Sequence, residues 1–131
     1  MDYRLLGYLT LFLLLVVTAP YWLRTMNNWT VKTKSKSFLN LIKFLRKLHK
    51  PLGILLAVMA AWHGYVIFRL NLHTGLLAFG AFIITALLGV YHWRKKDKHV
   101  FKAHKTMALL SALLVALHLL WPSALRQLFG L

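Results

Sequence analysis

Four stretches of the chain are each long and apolar enough to cross a lipid bilayer. That pattern, spread over 131 residues, leaves little room for a soluble fold. A spanning helix needs about 20 mostly apolar residues. The expected spans are 5–23, 50–68, 74–93 and 105–121. Pro20 and Pro122 are read as lying near helix ends, where disruption is cheap, and Pro51 as opening the second helix in its first turn. Tyr3, Trp22, Tyr91, Trp93 and Trp121 fall near span ends, as an aromatic belt requires. The apolar run after Arg4 invites a signal-peptide reading. It is too long for that, and Thr18-Ala19-Pro20 is a poor cleavage site, so it is kept as a span. The expected fold class is all-α: a four-transmembrane-helix bundle, one domain over residues 1–131.

Charge sets the expected topology. The only acids are Asp2 and Asp97, against 17 Lys and Arg. Segment 24–50 holds Arg24, Lys32, Lys34, Lys36, Lys43, Arg46, Lys47 and Lys50, and segment 94–105 holds Arg94, Lys95, Lys96, Lys98, Lys102 and Lys105. Only Arg4, Arg69 and Arg126 fall on the other side. The positive-inside rule places both basic loops, 24–49 and 94–104, in the cytoplasm and both termini outside. The basic residues sit between apolar runs, so the excess is read as a topology signal and not as a nucleic-acid surface. The setting expected is the cytoplasmic membrane of a bacterium or archaeon. Within the first loop Phe38, Leu39, Leu41, Ile42, Phe44, Leu45 and Leu48 recur at helical spacing. Two readings stay open there, an amphipathic helix in the interface and a cytoplasmic extension of the second span. Asn28-Trp29-Thr30 matches a glycosylation sequon, which means nothing on the cytoplasmic side. Cysteine is absent, which excludes disulfides, thiolate metal sites and cysteine-bound iron–sulfur clusters.

The histidines carry the chemistry. Ionisable residues inside spanning helices are rare and usually functional. His63 and His118 lie deep in apolar runs, and each has a second histidine fourteen positions earlier, His49 and His104. The two pairs are offset by 55 residues. Fourteen helical residues leave the second side chain only about 40° from the first and about 21 Å along the axis. The second and fourth helices run parallel, so His49 stands level with His104, and His63 with His118. Two facing imidazoles are the axial ligand set of a low-spin haem, and two levels make a stack of two haems b between these helices. Gly53, Ala57, Ala60, Ala61 and Gly64 on the second helix, with Ala108, Ser111, Ala112 and Ala116 on the fourth, leave room for porphyrin edges. Lys50, Lys105, Arg46 and Lys47 are the expected cations for the cytoplasmic propionates, and Arg69 and Arg126 for the outer ones.

Each feature has a blander explanation. A lone membrane histidine is more often a buried hydrogen-bonding group, and small residues are enriched at any close helix contact. Two pairs at one spacing on parallel helices are much harder to reach by chance. A proton relay needs a membrane carboxylate, and none lies in any span. His92 reads as an interfacial residue or a propionate contact. His73 reads as a loop residue with a propionate or quinone role as the sharper alternative, and His99 as solvated.

Two helices with histidines separated by thirteen residues resemble the dihaem b-type membrane cytochromes, among them the cytochrome b and ferric-reductase-like transmembrane cores. The run His49-Lys50-Pro51-Leu52-Gly53 is similar to the start of a ligand helix in the latter group. The resemblance implies bis-histidine haem iron at His49/His104 and His63/His118, and single-electron transfer across the membrane. It implies the membrane subunit of a larger oxidoreductase complex, not a complete enzyme. Its partners would be a flavoprotein, an iron–sulfur protein or an extracytoplasmic donor or acceptor, with quinone as the diffusible partner and lipid around it. A homodimer would cover exposed haem edges. Two other classes stay open: a non-redox membrane subunit or assembly factor with structural histidines, and a haem or metal transporter.

Overall fold

The computed structural model describes residues 2–68 and 73–130, apart from the side chains of Ile67 and Phe68. Five helices follow one another: α1 (Tyr3–Trp29), α2 (Lys36–Phe68), α3 (Thr74–Lys95), α4 (Lys98–Leu120) and the short α5 (Ala124–Phe129). Among the described residues there is no strand. Three helices, α1, α3 and α4, have the length and apolar content to cross a membrane. The expected second span, 50–68, forms the C-terminal part of α2 and does not join those three. Its described side chains end at Val66 and take in Lys50, Pro51 and His63, which dilute the apolar run.

The helix ends explain where the expected boundaries moved. Asp2 caps α1 by accepting the Arg4 N–H at 3.1 Å. Asp97 caps α4, accepting from His99 at 2.8 Å and Val100 at 3.3 Å. Both acids of the chain are therefore N-caps, where a carboxylate satisfies backbone donors that have no partner within the helix. Capped at Asp97, α4 begins seven residues before 105, and most of the expected loop 94–104 is helix. Lys96 makes the tight turn in the left-handed region, with φ of 56°. The first basic loop contracts likewise to residues 30–35, closed by Asn27, whose side chain donates to and accepts from the Thr33 backbone at 3.0 Å. Ser35 then accepts the Phe38 N–H at 3.2 Å.

The amphipathic segment 38–48 is continuous with the rest of α2, which favours the helical extension over a separate interfacial helix. Pro20 and Pro51 lie inside α1 and α2, not at their ends. Each removes one N–H and leaves a carbonyl of the preceding turn without its helical donor.

Two compact units divide the chain within α2, at Met59 and Ala60. In the first, Leu6, Val17 and Ala19 of α1 and Ile42 and Leu56 of α2 are buried. In the second, α3 and α4 form an antiparallel hairpin whose buried residues are small: Thr74, Ala78, Ala81, Thr85 and Ser111. Small side chains let two backbones approach closely, the usual basis of helix association in lipid. Large apolar residues point outward, with Leu113 61% and Leu120 86% exposed. That distribution is inverted relative to a soluble core and suits a hydrocarbon surround.

Candidate functional site

On α2 the residues Ile42, His49, Leu56 and His63 recur every seven positions, and on α4 so do His104, Ser111 and His118. Two helical turns take about seven residues, so each set forms one stripe. The residue midway between each pair of histidines is almost fully buried: Leu56 and Ser111 are both 2% exposed. The histidine-bearing face of each helix is thus its packed face, and the four histidines are half-buried.

Three of the four are held at Nδ1. His49 Nδ1 lies 2.8 Å from the carbonyl oxygen of Val17 on α1. His104 Nδ1 lies 2.8 Å from the carbonyl oxygen of Thr85 on α3. A carbonyl can only accept, so in both rings Nδ1 carries a proton. His118 is held by a hydroxyl instead: its Nδ1 is 3.2 Å from Thr74 Oγ1, which also lies 3.1 Å from the Pro122 carbonyl.

Thr85 is available because Gly89 occupies the next turn of α3. A Cβ there would stand 3.0 Å from His104 Cε1 and 3.2 Å from Nδ1. Thr85 also ties the hairpin through its hydroxyl, 3.0 Å from Ser111 Oγ.

His63 lies in the same unit as His118. The His73 and His118 rings lie 5.6 Å apart between centroids. His73, expected as a loop residue, precedes α3 as its N-cap position, with both ring nitrogens buried and without a hydrogen-bond partner. His92 donates Nδ1–H to the Asp97 carbonyl at 2.8 Å and stacks 4.7 Å from Phe101. That makes it a buckle of the α3–α4 turn. His49 belongs to the first unit and His104 to the second.

Of the expected cations, Arg46, Lys50 and Lys105 are exposed. Lys105 Nζ lies over the Phe101 ring at 4.9 Å from its centroid. Arg126 is exposed on α5, and Arg69 lies outside the described residues. Among the described residues no three His, Cys, Asp or Glu side chains converge as a metal-ion site. A bis-histidine haem needs two imidazoles and not three such groups.

The residues present fit such a group in two respects. Imidazoles that ligate metals are anchored at the other ring nitrogen, as His49, His104 and His118 are. Near His49 and His63 on α2, a Cβ built on Gly53 or Gly64 would meet nothing within 4 Å. No protein-family model matches the chain, and there is no match among curated proteins or solved structures.

Proposed function

We propose that this chain is a membrane-spanning dihaem cytochrome b, the electron-conducting subunit of a larger redox complex, with α2 completing a set of four spans. The observation that carries the reading is the shared anchoring of His49, His104 and His118, each held at Nδ1 by a fixed neighbour, the first two by a backbone carbonyl and the third by the Thr74 hydroxyl. Structural histidines that merely fill a helix contact have no need of one common anchoring point on two helices at one spacing.

In this reading His49 pairs with His104, and His63 with His118. Bound haem supplies the one-electron couple of its iron. The chain does the rest. The anchored Nδ1–H bonds orient each imidazole and raise its strength as a donor. The apolar surround lowers the local dielectric and so tunes potential. Lys50, Lys105 and Arg46 stand toward the cytoplasmic side of the ligand helices, suited to carboxylate groups there. His49 with His104, and His63 with His118, would hold the two haems, and the role would be electron transfer between partners: a flavoprotein or iron–sulfur protein, an extracytoplasmic carrier, or a diffusible quinone. The basic turns belong on the cytoplasmic side of the membrane and both termini outside.

The test is a reduced-minus-oxidised visible spectrum of the purified protein, with a pyridine haemochrome assay on the same sample. Sharp b-type bands and about two haems per chain are expected under bis-histidine ligation at two levels. A colourless protein from haem-replete cells would overturn the reading and leave a non-redox membrane subunit in its place.

A further inference from the structure

We propose that helix α3, which bears none of the four ligand histidines, sets the tautomer and ring orientation of both α4 histidines through Gly75 and Gly89. This rests on the dihaem reading for its haem consequences, though its first consequence is a property of the protein alone.

The argument starts from register. Gly75 and Gly89 are fourteen residues apart, the same step that separates His104 from His118. Because α3 and α4 are antiparallel neighbours, one glycine meets each ring. A Cβ on Gly89 would stand 3.0 Å from His104 Cε1, and one on Gly75 would stand 3.0 Å from His118 Cε1. Both distances are shorter than ordinary van der Waals separation between carbons. Gly80, between them on the same helix, has nothing within 4 Å of its Cβ position. The close approaches therefore belong to the two ring levels and not to α3 as a whole.

Each glycine lies beside the acceptor of its histidine. Helical carbonyls point toward the residue four positions on. The Thr85 carbonyl consequently points at position 89, and any side chain there would stand between it and His104. With glycine the imidazole reaches the oxygen at 2.8 Å. At the other level the residue before the glycine supplies the partner, as Thr74 Oγ1 lies 3.2 Å from His118 Nδ1. There Gly75 also lies against His73, whose Cε1 and Nδ1 would be 2.9 Å from its Cβ. His118 is thus confined by Thr74, Gly75 and His73, and in the proposed state it donates Nδ1–H to the Thr74 hydroxyl, as His104 does to the Thr85 carbonyl.

The test is the ring ¹⁵N spectrum of the histidines in the full-length haem-free protein in lipid nanodiscs, followed by low-spin haem EPR after hemin reconstitution. Wild type, Gly75→Ala, Gly80→Ala and Gly89→Ala are compared. The wild-type protein should carry the proton on Nδ1 of His104 and His118. Gly89→Ala should lose the Nδ1–H signal of His104 alone, Gly75→Ala that of His118 alone, and Gly80→Ala neither. After reconstitution the first two should each shift one haem signal and the third none. Protonation at Nε2 in the wild type, or unchanged tautomers in both variants, would overturn the proposal, and the wild-type spectrum decides even where a variant does not fold. A wild type that binds no hemin refutes the dihaem reading and leaves the ¹⁵N result to decide this one.

Discussion

The His118 imidazole and the Thr74 hydroxyl, 3.2 Å apart, form a buried relay that ends on the Pro122 carbonyl. Thr74 is fully buried. Its hydroxyl therefore has no water to fall back on, and its two near polar neighbours, His118 Nδ1 and the Pro122 carbonyl, are both protein groups. The relay joins the start of α3 to the residue just beyond the end of α4, so it fastens the hairpin as well as the ring.

Replacing Thr74 separates those two effects. Thr74→Val keeps the shape and removes the hydroxyl, leaving the His118 Nδ1–H buried without its acceptor, at a cost of about 1–3 kcal/mol. Thr74→Ser restores the hydroxyl. We expect Val to lower the thermal unfolding midpoint in detergent and Ser to recover most of the loss. In the haem-loaded protein, loss of the Nδ1–H bond weakens imidazole donation to iron. The midpoint potential of one haem should rise in Thr74→Val, with the other haem unchanged. Equal potentials in Val and wild type would remove Thr74 from the ligand's support.

The pairing of the histidines predicts a pattern of losses. His63→Ala and His118→Ala should each remove the same low-spin b-type signal and leave the other. His49→Ala and His104→Ala should do the reverse. Redox titration with EPR distinguishes the two signals. A His63 variant and a His49 variant that removed the same signal would show that the pairs had been assigned across the wrong levels.

Three of the four expected spans and the fourteen-residue histidine spacing within a single helix were legible in the sequence, because both depend on one helix at a time. Hydropathy needs only a run of residues, and fourteen-residue spacing needs only the helical repeat. What was missed depends on packing. Thr74, Thr85, Gly75 and Gly89 matter because α3 lies against α4 in one register, which no single-helix pattern contains. The repeated step of Gly75 and Gly89 was visible, but nothing linked it to His104 and His118 until the hairpin was known. The prolines misled for a different reason. Pro20 was read as lying near a helix end and Pro51 as opening the second helix, as they would in water. In a bilayer the flanking backbone has no better partner than its own helix, so the helix continues through them. The roles of Asp2 and Asp97 were readable from an Asp preceding an apolar-periodic run.

Asp97 gives a stability prediction that does not depend on haem. It is the N-cap of α4 and its carbonyl also accepts from His92 Nδ1 at 2.8 Å. Asp97→Ala removes only the side-chain cap and should cost about 1 kcal/mol, within a usual range of 0.5–2. Asp97→Asn caps almost equally well and should be nearly neutral. Guanidinium or thermal unfolding followed by circular dichroism would measure the difference. Equal losses for Ala and Asn would mean that the carboxylate charge, and not the cap geometry, is what stabilises the turn.

The charge asymmetry makes the topology testable with little interference, because the chain contains no cysteine. Single cysteines can therefore be placed without competing thiols. Lys34→Cys reports on the turn between α1 and α2, Arg94→Cys on the end of α3 beside its turn into α4, and Leu128→Cys, at a position 72% exposed, on α5. With fourteen basic residues in 24–50 and 94–105 against three elsewhere, the expectation is that the first two face the cytoplasm. A membrane-impermeant maleimide added to intact cells should label Leu128→Cys only, and should label all three after lysis. This result also counts the spans. The two turns can share a side only if α2 and α3 together cross the membrane an even number of times. Leu128 lies opposite the α3–α4 turn only if α4 crosses once more. Labelling at Lys34 but not at Arg94 in intact cells would show that α2 does not span. The four-span reading, and with it the parallel placement of His49 against His104, would then fail.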